Sequence, residues 1–128
     1  MPSLLNLSRA WLCAAALLAL AGGARADICR VKTDGDAAAS GIDWDAQATT
    51  LRAAIGNASC TEIWVKRGTY APGTEYLIDR NLVLRGDFVG TEASAGERAT
   101  PLDPSRTTLD GENATRILNI NGASANGP

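Results

Sequence analysis

Four basic side chains, Lys66, Arg67, Arg80 and Arg85, are the ones in this chain best suited to chemistry on an acidic polymer. Polysaccharide lyases use a basic group to take the proton beside a carboxylate, often with a metal neutralising the charge. The plainer reading places all four at solvated, outward positions of alternating strands, where charge is ordinary. Three carboxylates, Asp79, Asp87 and Asp110, could supply the acid and base of a glycoside hydrolase. Each also sits at a strand end or beside a glycine, where aspartate is a turn residue. Trp64 and Tyr70 could stack on a sugar ring, or pack under a loop or cap. Asp34-Gly35-Asp36 has the Asp-x-Asp of a calcium loop, but no further oxygen ligands and no glutamate follow at the required spacing. The chain has no histidine, which excludes histidine-based catalysis and most zinc sites. No nucleophile sits beside a base. On the sequence alone no residue is assigned to catalysis, to a cofactor or to a metal. The one specific pairing expected is a disulfide between Cys29 and Cys60.

That pairing follows from the compartment. Arg9 precedes an apolar stretch from Ala10 to Ala21, and Ala24-Arg25-Ala26 gives a small-x-small cleavage pattern. Residues 1–26 therefore read as a secretory signal peptide cleaved before Asp27. A membrane anchor would need a longer apolar run, about 20 residues. A lipoprotein cysteine at Cys13 would need its apolar stretch before it rather than after. Cys13 leaves with the signal peptide, and an even pair remains in an exported chain. The closed loop of about 30 residues would stabilise the fold by roughly 3–4 kcal/mol in the chain-entropy model. Two unpaired buried thiols are the alternative. Residues 27–128 carry 10 basic and 14 acidic side chains, a net charge of −4. There is no basic patch, so nucleic acid is not an expected partner. No membrane-spanning segment is expected after cleavage.

The elements that must position these residues fall into two stretches. Over 27–60 we expect a short strand at Ile28–Val31 and one helix at 46–55, capped by Thr49 or Thr50. Leu51, Ala54 and Ile55 lie at i, i+3 and i+4 and give the helix one apolar stripe. Gly56-Asn57 stops it, and Trp44 is expected beside the stripe. Over 61–128 the period changes to two. Short apolar runs each close on glycine: Glu62–Gly68, Leu82–Gly86, Thr107–Gly111 and Arg116–Gly122. Ile63, Val65, Leu82, Leu84, Leu118 and Ile120 should face one shared core, with Leu51 and Ile55 covering its end. Val65 to Leu84 is a step of 19 residues, near one coil of a solenoid. Asn119 and Asn121 could begin an internal asparagine ladder. Residues 87–106 read as a surface loop. Asn57-Ala-Ser59 and Asn113-Ala-Thr115 match the glycosylation pattern, a match common by chance.

Several of these stretches also carry a family resemblance. Leu51-Arg-Ala-Ala-Ile55, Glu62-Ile-Trp-Val-Lys-Arg-Gly-Thr-Tyr-Ala-Pro72, Leu82-Val-Leu-Arg-Gly-Asp-Phe-Val-Gly-Thr-Glu92 and Thr107-Thr-Leu-Asp-Gly111 together resemble the N-terminal region of exported bacterial right-handed parallel β-helix proteins. These belong to the pectin-lyase-like superfamily, and the nearest in pattern are the polymorphic outer-membrane type. The resemblance implies an all-β solenoid of which this chain holds the N-terminal coils, with one short capping α-helix and further C-terminal coils expected. It implies an exported protein, periplasmic, on the outer surface or extracellular, and non-catalytic, in adhesion or surface structure. Carbohydrate or a host or cell surface would be its partner. The alternative is the front end of a polysaccharide lyase or glycoside hydrolase. Catalytic residues of such enzymes lie on later coils, and none carries over to a position here.

Overall fold

The computed structural model describes residues 27–121. The leader assigned to residues 1–26, Cys13 included, and the end of the last expected coil at 122–128 lie outside the described residues. Seven short strands and one α-helix make up the described chain. They are β1 (Asp27–Val31), α1 (Leu51–Gly56), β2 (Cys60–Lys66), β3 (Gly68–Tyr70), β4 (Tyr76–Ile78), β5 (Val83–Phe88), β6 (Thr107–Leu109) and β7 (Leu118–Ile120). A single 3-10 turn, Ala95–Glu97, interrupts the loop between β5 and β6.

All strand pairs are parallel. They form three small sheets, ordered β1-β2-β5, β3-β6 and β4-β7. Parallel neighbours cannot be joined by a tight hairpin and need a long crossover. Here the crossover is passage through the other two sheets. The chain runs β2, β3, β4 and then returns as β5, β6, β7 to the same sheets in the same order. Side chains at matching positions therefore stack: Cys29 on Ile63 on Leu84, Tyr70 on Leu109, and Tyr76 on Leu118. These stacks meet in one core with Val31, Val65 and the buried face of α1.

The inward register is as expected for Ile63 and Val65, which are buried, and for Leu82, Leu84 and Leu118, which are half-buried against the core. Val83 faces out. Ile120 departs from the expectation. It is 70% exposed, because it lies at the end of β7 on the strand layer farthest from α1. The step between layers also differs. Leu84 pairs with Ile63, 21 residues back, and not with Val65. Past Leu84 the offset grows by one more at a bulge, where the step from Arg85 to Phe88 spans only Trp64 to Lys66. An extra residue must turn out of the ladder there, and Asp87 does so at φ 65°.

The helix is shorter than 46–55 and begins after Thr50, whose Oγ1 accepts the Ala53 N–H at 3.2 Å. Thr49 is unavailable to it. Its N–H donates to the Arg30 carbonyl at 3.0 Å and its carbonyl accepts from Lys32 at 3.2 Å, a bridge onto β1. Residues 43–47 turn instead, because the Asp43 carboxylate accepts the N–H groups of Asp45 and Gln47, both at 2.9 Å. Such a local bond competes with helix formation. Leu51, Ala54 and Ile55 are buried as the stripe requires. Cys29 and Cys60 are disulfide-bonded, with Cα atoms 5.5 Å apart. Cys60 opens β2 and does not end the helix, so the bond ties β1 directly to its neighbouring strand. Among the described residues no helix is long and apolar enough to cross a membrane.

Candidate functional site

Of the residues singled out for chemistry, the fold brings together Arg67 and Asp87. The bulge turns the Asp87 side chain inward at the corner between β5 and the following loop. Its carboxylate accepts from Arg67 Nε at 2.7 Å and from the Asp103 N–H at 3.0 Å, with Arg106 Nη1 at 3.5 Å. The Asp103 N–H, with Arg67 and Arg106 beside it, holds the Asp87 carboxyl below its ordinary value against the opposing effect of burial. Asp103 is likewise lowered, by the Ser105 hydroxyl and N–H that it accepts. Glycoside hydrolysis needs one carboxyl kept protonated near neutral pH. Both carboxyls here are stabilised as anions, so the cluster ties the corner of the fold and offers no proton donor. Asp79 lies apart and exposed at the end of β4, and Asp110 accepts the Glu112 N–H in a turn.

Arg80 corrects the expectation of a solvated outward cation. Its guanidinium reaches back under the capping helix and donates to the carbonyls of Cys60 (2.7 Å), Asn57 (2.8 Å), Ile55 (2.9 Å) and Ala54 (3.3 Å). These include the orphan carbonyls that every helix C-terminus leaves, and a cation there also suits the helix dipole. Arg85 donates to Glu62 Oε1 at 2.7 Å. The same oxygen accepts the Trp64 indole N–H at 2.7 Å. Burial pushes the Glu62 carboxyl up, and these two donors outweigh it and hold it low. Lys66 is half-buried and its stem lies against Gly90. The four basic residues therefore do not converge on one groove.

Trp64 points away from the main core, as its alternation requires, and is 2% exposed. It stacks on Phe88 with ring centroids 4.7 Å apart, and Trp44 lies 5.5 Å from Phe88 and 6.4 Å from Trp64. Trp44 thus belongs to this second cluster and not to the stripe of α1. Arg30 and Arg98 cover the rings, with guanidinium carbons 5.2 Å from Trp64 and 5.1 Å from Phe88. The Trp44 indole donates to the Glu92 carbonyl at 2.9 Å. The Glu92 carboxylate in turn accepts the N–H groups of Val89, Gly90 and Thr91 at 2.7–3.0 Å. Burial pushes that carboxyl up, and the three backbone donors reverse the shift and hold it down. The loop after β5 is therefore pinned over the cluster, and Trp64 presents no open ring to a sugar. Tyr70 is buried in the main core and its hydroxyl donates to the Lys66 carbonyl at 2.7 Å; burial, then the nearby Asp34, push its pKa up. Asn119 Nδ2 donates to Glu75 Oε1 at 3.1 Å, a link between side chains of neighbouring strands rather than an asparagine ladder.

What remains open is the end of the stack opposite α1. Among the described residues β5, β6 and β7 each lack a partner on their outer edge. Two cavities open there, both reaching Leu84. One, of about 380 Å³, lies over Val65, Gly86 and Leu109 with Leu102 on its wall. The other, of about 350 Å³, lies over Ile78, Leu82, Leu118 and Ile120. Sequence reasoning anticipated apolar residues on these strands. It missed Glu92 and Arg98 as loop anchors; the one cue was a carboxylate two residues after Gly90, which sits at φ 105°.

The architecture defines a chain of short parallel sheets with one helix, an all-β protein in class. Comparison with protein-family models, with curated proteins and with solved structures finds no match in any of the three.

Proposed function

We propose that this chain is the helix-capped N-terminal portion of an exported right-handed parallel β-helix of the pectin-lyase-like type, with a structural or adhesive role at a cell surface and no reaction of its own. The observation that carries the reading is the repeat of sheet order. β2-β3-β4 and β5-β6-β7 enter the same three sheets in the same sequence around one core. A stack built this way grows by one strand per sheet per circuit and needs its ends covered. Here α1 and its Arg80 clamp cover one end. Export is supported by the signal-peptide pattern of residues 1–26 and by the Cys29–Cys60 bond, since disulfides persist in oxidising compartments. A non-catalytic role is supported by the engagement of Arg67, Arg80, Arg85 and Asp87 in bonds that hold the fold.

The test is expression of the 128-residue chain in a bacterial host with a secretion pathway. The expected product starts at Asp27 by mass spectrometry, has no alkylatable thiol, and releases neither unsaturated nor reducing sugar from pectate, alginate or chondroitin. An uncleaved, reduced product would refute export. Sugar release would make the enzyme reading the leading one.

A further inference from the structure

We infer that the groove at the helix-capped corner of the fold binds a small hydroxylated oxyanion, a carboxylate or phosphate borne on a compound of monosaccharide size. The groove is separate from the open end. None of its lining residues lies on β5, β6 or β7, the layer that further coils would cover. A ligand there needs no further coils, so the site stands apart from the stacked-strand reading.

The groove, of about 320 Å³, lies between the end of β1, the start of α1, β3 and the turn that leads into β4. That is the small end of the range for ligand sites, ~300–1,000 Å³. Tyr76 lines it, is only 5% exposed and packs its ring in the main core. The Tyr70 hydroxyl is bonded to the Lys66 carbonyl, whereas that of Tyr76 has no partner among the described residues. The one fully enclosed side-chain oxygen without a partner there is Thr49 Oγ1, so the Tyr76 hydroxyl emerges into the groove. Burial pushes its pKa up, and the Arg52 charge only partly offsets this. At neutral pH it is therefore a hydroxyl in need of an acceptor.

Two cations line the same groove, Lys32 and Arg52. Among the described residues no carboxylate pairs with either. Arg52 is fixed by the turn it holds. Its guanidinium donates to the carbonyls of Thr74 (2.6 Å), Pro72 (2.9 Å) and Glu75 (3.4 Å), and lies 4.7 Å from the centre of the Tyr76 ring. These bonds set its position and leave its charge unneutralised, while the Glu75 carboxylate is taken by Asn119. Lys32 is half-buried and its backbone is held on both sides, by the Thr49 carbonyl at 3.2 Å and the Gly35 N–H at 3.1 Å. Asp34 opposes the two cations, since its charge reaches Tyr70, but it is exposed and outside the lining. An ammonium and a phenolic hydroxyl that both donate call for a group that only accepts, as an ionised carboxylate or phosphate does. Thr33, Thr50 and Thr69 add hydroxyls that can donate to or accept from hydroxyl groups on the rest of the ligand.

The test is an NMR titration of the oxidised chain, following backbone amide shifts, with three probes: glucuronate, glucose-6-phosphate and glucose. The expected result is saturable shifts at Thr50, Arg52 and Thr69–Ala71 with one or both anions, at a Kd of roughly 1 mM, the scale for a ligand of about a dozen heavy atoms. The anion that saturates first tells carboxylate from phosphate, and glucose should bind about 10-fold more weakly or not at all. Tyr76→Phe keeps the ring in the core and should weaken the anions about 10-fold, and Lys32→Met, a change at the groove surface, should do the same. No saturable shift with either anion, glucose binding as tightly as the anions, shifts confined to residues outside the groove, or binding indifferent to both variants would overturn the inference. Any of these leaves the strand stacking as it stands. Loss of amide protection in β2 on hydrogen exchange would instead refute the stacked-strand reading.

Discussion

Replacing Arg80 with methionine keeps the aliphatic stem and removes the guanidinium. It removes one donor from each of four backbone carbonyls, those of Ala54, Ile55, Asn57 and Cys60, of which Ala54 and Asn57 keep the N–H groups of Asn57 and Cys60. A hydrogen bond with a charged partner contributes about 1.5–3 kcal/mol on average. The four do not add fully. Three share the two hydrogens of one nitrogen, and the Asn57 carbonyl is open enough for water to replace the lost donor. Two effective bonds remain, for a loss of about 3 kcal/mol. A chain of this size has roughly 5–14 kcal/mol in total, and the melting temperature should fall by about 10–20 °C. Urea denaturation followed by the fluorescence of Trp44 and Trp64 measures the loss. Arg80→Lys should recover only part of it, because a single ammonium cannot span the same carbonyls. The reasoning is refuted if Arg80→Met costs under about 0.5 kcal/mol. It is refuted more specifically if the variant stays stable but loses affinity for pectate, since Arg80 would then face a ligand and not the helix.

Converting Cys29 and Cys60 both to serine should cost about 3–4 kcal/mol, from the 31-residue separation of the bonded pair; an unchanged urea midpoint would contradict this. Leu84→Ala should cost about 1–2 kcal/mol, below the usual range for a fully buried leucine, because Leu84 is only half-buried. A loss above 3 kcal/mol would show that something covers that end in solution. The carboxyls of Asp87, Glu92 and Asp103 are all held low in the folded chain. Their contribution is complete above the unfolded-state values of about 4 and disappears as pH falls through the lower folded values. Melting temperature should be level from pH 7 to about 5 and drop below about 4, with a shallower drop in Glu92→Gln; a rise on acidification would refute the assignment.

Period-two patterning found β2, β5 and β7 because each alternates clearly, and Thr107-Thr-Leu109 closes on a glycine signal. β3 and β4 were not legible as separate strands. At three residues each, Gly68–Tyr70 and Tyr76–Ile78 are too short for any period to show. The helix was found one turn too long, because Thr49 has a strand partner 18 residues back that no local rule reveals. The charged residues were the least legible. Alternation correctly sent Arg85 outward, but Arg80 and Asp87 sit at a strand end and on a bulge. There side-chain direction is set by the corner geometry and not by the pleat. Trp44 was misplaced for a related reason: its partners, Trp64, Phe88 and Glu92, come from later in the chain.

The distances along the chain between paired strands have a kinetic meaning. Cys29 pairs with Ile63, 34 residues on; Thr69 with Thr108, 39 on; and Leu77 with Asn119, 42 on. Every pair of neighbouring strands in the described chain joins residues far apart in sequence. High contact order makes folding slow and leaves collapsed, unpaired strands exposed meanwhile. The first pair that can close is β1 with β2, all of whose residues lie before Arg67, and the Cys29–Cys60 bond locks that pair covalently. Once locked, it is a template with one free edge, onto which β5 can register as it becomes available. The order of assembly then follows the order of the chain, from the amino terminus outward. Folding during passage from one side of a membrane to the other would proceed in that same direction.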